Sequence, residues 1–468
     1  MQTLLGNRPW HVAFSELIGM YREHFTETQS NPVWFERLDP VLRRHLSSWY
    51  GLFGDIYEPL SITPCVPLAG FGFTVLEEGI AEDVVRSLGL FRLGGIRQLG
   101  FLHTPRVTSD ALQAYMPVYS HTRYLHIMCV YALANLMAEN NHLSELEKNT
   151  LLVAALTHDA RTPAGGDSTK RINHTLFDED ASFEAVYKLP GWPGLRERYG
   201  LCEKLLFRTI MGEGKLGRLL DLADKAAYIA FDTARFLDSG TPSAAVSEIR
   251  TVLNEDSLVC GLWDAANVEG EQVIISDPER LHRFLRLRAG MFKGLYYNPA
   301  SRFLEDTLAR MLISYLLEKG VVTPGTLLQM GDGHLEQLID QVTGIPGLMA
   351  GIVTHQATRV ETFQTLSQAE AREAELALDQ GIMTHIESML WLTKSGAKSF
   401  LVRGKNKQVA TFAEAYPEQT VKIEEGLKDI PPVRLYAFSI RHSGLPNEIV
   451  RRLRKRREKR IKNYKRSH

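Results

Sequence analysis

Residues 120–139 read SHTRYLHIMCVYALANLMAE and residues 151–167 read LLVAALTHDARTPAGGD. In the first stretch apolar residues return at three- and four-residue steps. Leu125, Cys129, Leu133 and Leu136 share one stripe, with Met137 beside it, which is the period of a helix turning one face to a core. The spacing predicts a helix over Thr122 to Glu139. A second helix is expected from Ser144, a residue type suited to an N-cap, to Thr157. It ends at His158-Asp159, and the next residues, ARTPAGGDS, carry the Pro and Gly signals of a loop. A His-Asp pair at such a junction is held by the scaffold on one side and open on the other, a suitable place for metal ligands.

Working outward, the same period predicts helices over Leu216 to Leu237, Pro278 to Leu295 and the polar-faced stretch Ser367 to Trp391. Breaks fall at Thr162 to Asp167, Leu189 to Gly194, Pro299, Val322 to Gly325 and Gly344 to Gly347. Ser61 to Val75, with Pro64 and Pro67, is either an irregular connection or short strands, and is assigned as loop. From Lys398 the pattern changes. Ser399 to Val402, Val409 to Phe412 and Val433 to Ile440 alternate and carry β-branched or aromatic residues, with Gly404-Lys405-Asn406-Lys407 placed as a hairpin turn. The expectation is a mainly α protein ending in a small α+β region. Its divisions are a mostly helical 1–84, a helical core over 85–330, a helical then α+β region over 331–450, and a tail over 451–468.

The chain has 468 residues, 44% of them hydrophobic and 23% charged, with a formal net charge of -1. These are averages for soluble globular proteins and exclude a disordered, fibrous or disulfide-stapled chain. Cys65, Cys129, Cys202 and Cys260 lie far apart without metal-ligand spacing, which favours a reducing compartment. The start, MQTLLGNRPWHVAF, lacks the charged and apolar regions of a secretory signal. Weakly polar stretches such as Thr343 to Thr354 fall short of the roughly 20 residues a membrane span needs. A cytoplasmic protein without a membrane partner is expected. The near-zero net charge hides a division: residues 451–468 hold eleven Lys or Arg and one Glu, a net of +10, while the preceding 450 carry 43 basic against 54 acidic groups, or -11. The tail is either a solvated, frayed helix or an arm for nucleic acid or another polyanion.

Two further segments give the His-Asp pair a context. His126 lies on the first predicted helix, and LDLADKAAY, residues 220–228, puts Asp224 inside another apolar helix, where a carboxylate is costly unless paired or metal-bound. Two imidazoles and two carboxylates form a mixed N/O set suited to a divalent ion, Mn, Fe, Zn or Mg. Each residue also has a plainer reading. His126 could be a core histidine, Asp224 and Lys225 a surface charge pair, Tyr228 core packing, and Arg288 part of a solvated face with Arg283 and Arg286.

The order His126, His158-Asp159, Asp224 resembles the H…HD…D signature of the HD-domain metal-dependent phosphohydrolases. More narrowly, the chain is similar to their deoxynucleoside triphosphate triphosphohydrolase (dGTPase-like) branch over roughly residues 85–320. FRLGGIRQLG at 91–100 resembles that branch's FQRLRxIxQLG, and SHTRYLH at 120–126 its SHTRFEH. Asp224-Lys225-x-x-Tyr228-x-x-x-Asp232 resembles DKxxYxxxD, and Arg288 with Tyr296 eight residues on, and Asp306 beyond, resembles its RxxxxxxxY helix.

The resemblance implies an HD-domain helical core in which His126, His158, Asp159 and Asp224 hold the metal. Arg123, Lys225 and Arg288 would grip phosphate, Tyr228 and Asp232 would define the sugar site, Gln98 and Leu99 would lie near sugar and base, and Tyr296 would stack on them. It further implies hydrolysis of a nucleotide substrate, a dNTP giving deoxynucleoside and triphosphate, and a homo-oligomer. The sequence departs from the branch in the loop after the HD pair, whose form there is HDxGHxPFGH. Here Thr162 stands for the first extra His and Asp167 for the second, while Asp178-Glu179 falls where an HE pair is usual. Asp167, Asp178, Glu179 or the nearby His174 is then the candidate proton donor. The alternative is a catalytically weak nucleotide-binding or regulatory protein.

Overall fold

A helix that is apolar on nearly every side has one stable place, the middle of a helical layer. The computed structural model describes residues 65–68, 72–75, 79–107, 112–117, 121–172, 177, 186–238, 244–255, 259–346, 349, 353–356, 359–376, 382–388, 396–404, 407–428, 430–439 and 446–467. They are mainly helical. The helices used below are α1 (Ile80–Ser87), α2 (Arg123–Asn140), α3 (Glu145–Thr157), α4 (Asp167–Lys170), α5 (Gly214–Asp238), α6 (Ala244–Glu255), α7 (Pro278–Met291), α8 (Arg310–Glu318), α9 (Asp332–Thr343), α10 (Leu366–Leu376) and α11 (Asn447–Ser467).

The central one is α2, packed against both α3 and α5. Fourteen of its 18 residues are buried, so the one-sided stripe expected from sequence is not what the fold uses. Leu125 and Leu136 are half-buried, and the fully covered positions include Ile127, Val130, Tyr131 and Ala134. α3 begins with a capping box in which Ser144 accepts from the Glu147 N–H and the Glu147 carboxylate accepts from the Ser144 N–H. This satisfies two backbone donors that a helix start leaves open. Its last eight residues are buried up to Thr157.

The helix expected over Pro278 to Leu295 is α7 followed by a widened π-type turn, Phe292–Tyr296. Gly294 allows this turn to close on its neighbours. A Cβ there would stand 2.9 Å from Ala245 Cβ on α6 and 3.0 Å from the Phe236 ring on α5.

Strands occupy the margins. β1 (Cys65–Leu68) and β2 (Gly72–Val75) form an antiparallel hairpin where a loop was expected. Pro67 at a strand position obscured the pattern, since proline usually argues against a strand. β3 (His103–Val107), β4 (Leu112–Pro117) and β7 (Val353–Gln356) make a second antiparallel sheet. β5 (Ala266–Glu269) and β6 (Gln272–Ile275) turn at Gly270 and are joined by β10 (Leu401–Arg403) and β11 (Val409–Thr411), with β10 parallel to β6. The C-terminal hairpin expected from sequence therefore completes a sheet begun by residues 266–275. A fourth sheet has the order β8 (Arg359–Phe363), β12 (Val433–Ser439), β9 (Ile382–Ser388).

β9 corrects the helix expected over Ser367 to Trp391. The helix α10 ends at Leu376, and Ile382–Ser388, rich in β-branched residues, pairs along its full length with β12. Tertiary pairing outweighed a helical period carried by polar residues.

The basic tail belongs to α11, whose first turns dock. Ile449, Val450 and Leu453 are buried in the same core as Phe303, Leu308 and Leu316.

One buried network ties β12 to the helical core. Arg434, fully buried, donates to Asp306 Oδ2 at 3.2 Å and to the Tyr297 carbonyl at 2.6 Å. The Tyr436 hydroxyl donates to the same Asp306 oxygen at 2.8 Å, and Arg302 donates to Asp306 Oδ1 at 2.6 Å and to the Tyr296 carbonyl at 3.2 Å. Removing one member of such a set leaves buried partners uncompensated, which costs more than the set contributes when whole. Arg434→Met should therefore destabilise the fold by about 3–5 kcal/mol in urea unfolding, and Tyr436→Phe by about 1 kcal/mol. Equal, small losses for both would contradict the network's role.

Candidate metal centre and substrate cavity

The four proposed ligands come from three neighbouring helices. His126 lies one turn into α2, His158 caps α3, Asp159 follows it, and Asp224 sits in the middle of α5. The start of α2 is fixed on both sides: Thr122 caps it by accepting from the Leu125 N–H at 3.2 Å, and the Arg123 N–H donates to the Ile96 carbonyl at 2.8 Å. That second bond explains what the segment around 91–100 does structurally. It also carries Arg92, whose guanidinium donates to the carbonyls of Thr162 and Ala160 and so holds the loop after the His-Asp pair.

Asp332, at the start of α9, clamps the same two segments, accepting from the Arg97 N–H at 2.8 Å and the Gly165 N–H at 2.7 Å. Gly165 has φ +81°, and a Cβ there would lie 2.5 Å from Thr169 Oγ1. Both the conformation and the space thus require glycine.

Within the cluster, His126 Nε2 lies 2.9 Å from Asp224 Oδ1 and 3.9 Å from Asp159 Oδ2, and His158 Nε2 lies 3.7 Å and 3.9 Å from the same two oxygens. The Nδ1 of His158 is 2.9 Å from the Ala155 carbonyl, which sets the ring with Nε2 toward the cluster. Donors bound to one first-row ion at ~2.0–2.2 Å stand ~3–3.5 Å apart, close to these separations. One donor atom each from His126, His158 and Asp159 lie within 4.8 Å of one another, all three residues being buried. His126 Nε2 is buried without being aligned for a hydrogen bond. The residues fit a divalent ion.

The electrostatics agree with that donor set. Burial pushes the Asp159 carboxyl up, but Arg123, Lys170 and the two imidazoles hold it well below the usual carboxylate range. Burial likewise pushes Asp224 up, and His126 and His158 beside it bring it down. Burial lowers His126 despite the carboxylates nearby, which favours the neutral ring a metal requires. Asp159 accepts from Arg123 at 2.6 Å through Oδ2, and through Oδ1 from Thr162 at 3.0 Å and Lys170 at 3.2 Å.

The cluster opens into a cavity of about 270 Å³. Of the residues expected in the site, Gln98, Leu99, Arg123 and Asp167 line it, as do Tyr228, Asp232 and Tyr296. Arg123 spans Asp159 and Asp167, the latter at 2.7 Å. Asp232 accepts from the Tyr296 hydroxyl at 2.6 Å, and its other oxygen is 3.6 Å from His121 Nδ1.

Lys225 and Arg288 are not among the lining residues. Lys225 pairs with Asp221 and stands 5.9 Å over the Phe400 ring, and Arg288 stacks at 4.6 Å on Phe292 with Nε 3.5 Å from the Tyr228 hydroxyl. His174, Asp178 and Glu179 lie outside the described residues.

Sequence reasoning missed four charged groups on the cavity: Lys170, Arg171, Arg302 and Glu305. Lys170 and Arg171 directly follow the loop and would have emerged had that loop been read for cations as well as histidines. Glu305 accepts from Arg302 at 3.2 Å and pairs with Arg171 at 3.1 Å. Burial pushes its carboxyl up to about 7, Arg302 pulling down and Asp306 pushing up. No local sequence signal marks it.

No protein-family model matches the sequence, and no curated protein does. Solved structures share the fold. A phosphohydrolase from Bacteroides thetaiotaomicron is similar with a TM-score of 0.56 and 16% identity, over 80% of this chain and 99% of that one. A hypothetical protein from Aquifex aeolicus is similar with a TM-score of 0.54 and 15% identity, over 81% of this chain and 96% of that one.

Proposed function

We propose that the chain is a metal-dependent phosphohydrolase of the HD type, acting on a deoxynucleoside triphosphate and releasing triphosphate. The observation that carries this reading is the buried group His126, His158 and Asp159, joined by the part-exposed Asp224, beside a cavity whose lining is charged and aromatic. The phosphohydrolase among the structures that share the fold supports the reaction class. When bound, a divalent ion supplies Lewis acidity to a phosphoryl oxygen and makes water acidic enough to attack.

The protein's own groups supply the rest. Arg123 keeps Asp159 ionised and turned toward the cluster. Asp232 and Tyr296, joined by their hydrogen bond, offer a carboxylate and a ring to a sugar. Asp167 and Glu305 both line the cavity, and Glu305, whose carboxyl burial pushes up to about 7, suits a general acid.

The cavity carries Arg123, Lys170, Arg171 and Arg302 against Asp159, Asp167, Asp224, Asp232 and Glu305. Without a divalent ion its carboxyls match or outnumber its cations, so a polyphosphate is attracted only to the loaded site. Purified protein given a dNTP panel with Mn²⁺ should release intact triphosphate, and EDTA should abolish both turnover and nucleotide binding. His158→Ala and Asp159→Ala should each lower the rate at least about a thousandfold. Tight nucleotide binding without turnover under Mn²⁺, Mg²⁺, Fe²⁺ or Zn²⁺ would instead favour the regulatory reading that the altered loop invites.

The C-terminal helix serves as a polyanion arm in this reading. Arg452 is occupied by Glu318 and Glu448, whereas Arg454, Lys455, Lys459 and Lys462 are exposed. Converting those four to Gln should reduce the log–log salt slope for short duplex DNA by about 3.6, with the fold intact because Leu453 is untouched. An unchanged slope and unchanged retention on heparin would remove the arm.

A further inference from the structure

The cavity lining combines two chemistries. Tyr228, Phe292, Tyr296 and Tyr297 present rings. Four cations, Arg123, Lys170, Arg171 and Arg302, share the lining, and their partners decide which of them an incoming anion can recruit.

Arg302 cannot be recruited: it is 2% exposed and committed to Asp306, Glu305 and the Tyr296 carbonyl. Arg123 is nearly as buried and holds Asp159. Lys170 and Arg171 are different, with side chains 18% and 19% exposed. Lys170 meets Asp159 through Oδ1, the oxygen turned away from the imidazoles, so its ammonium stands beside the cluster without sharing the face that a metal would use. Arg171 meets Glu305, a carboxyl that keeps Arg302 as a partner when Arg171 leaves it.

We propose that Lys170 and Arg171 form the phosphate-binding subsite of this cavity, so that a substrate lies with its phosphate chain along α4 and its ring end against Tyr228, Phe292 and Tyr296. This rests on the phosphohydrolase reading and gives it an orientation and a substrate class, a phosphoanhydride carrying a planar ring. A lysine's point charge and an arginine's forked donors together suit a chain of phosphates better than a single phosphate. Lys225 and Arg288, which the family resemblance would use for phosphate, are held against Asp221 and Phe400 and against Phe292 and Tyr228 instead.

The test compares binding of dATP and of deoxyadenosine to the full chain by calorimetry, with Mn²⁺ present and turnover suppressed by low temperature. At saturating Mn²⁺, Lys170→Gln and Arg171→Gln should each weaken dATP about tenfold or more while leaving deoxyadenosine affinity within about twofold. A general loss of structure would lower both ligands together, and Lys170→Arg should recover most of the dATP affinity. Wild-type affinity for dATP in both Gln variants, or a larger loss in Lys225→Gln than in either, overturns the subsite and leaves the metal-dependent reading standing. Failure of the wild-type chain to bind dATP with Mn²⁺ overturns both.

Discussion

The ion pair between Arg123 and Asp159 is the contact on which the site's geometry turns. It joins the first turn of α2 to the end of α3 at 2.6 Å, with both side chains almost fully buried. A buried pair of this kind adds little net stability because both ions lose their water. Its value lies in placement: it fixes an ionised carboxylate 3.9 Å from each of two imidazoles. Asp224 brings a second carboxylate to the same rings from α5. Asp159 has Arg123 and Lys170 as charge partners, whereas Asp224 faces the two imidazoles, and a divalent cation bound among them would complete the charge balance.

Around this cluster the fold spends its buried polar groups on holding segments rather than elements. Asp332 ties the 91–100 segment to the loop after His158, and Arg92 ties that loop from the other side. Arg434 and Arg302 hold the carbonyls of Tyr297 and Tyr296, which line the cavity. Through Arg434 the C-terminal sheet reaches the cavity wall, so residues more than a hundred positions from the His-Asp pair take part in shaping it.

What the sequence made readable follows physical range. The Ser144 N-cap of α3, the period of α2 and the ordered spacing of His126, His158-Asp159 and Asp224 are local signals, and each placed its residue on the element expected. The pairing of β10 with β6, the strand Ile382–Ser388 and the burial of Arg434 depend on partners far along the chain. Arg434 in isolation reads as an exposed arginine of an alternating strand; only Asp306 and Tyr297 explain it. The same holds for Glu305, which no motif marks and which the fold carries to the cavity on the turn preceding α8. Lys225 shows the converse. Its motif position is clear, yet a neighbouring Asp221 one turn away and the Phe400 ring, 175 positions on, determine where its ammonium lies.

The claim that unites these observations is that one divalent ion belongs between α2, α3 and α5. Anomalous diffraction from crystals of the full chain equilibrated with Mn²⁺ tests it most directly. The account predicts a single strong peak bonded to Nε2 of His126 and His158 and to oxygens of Asp159 and Asp224, at ~2.0–2.2 Å. A cavity with no peak, or manganese held elsewhere while His126 and Asp224 remain in contact, would contradict it.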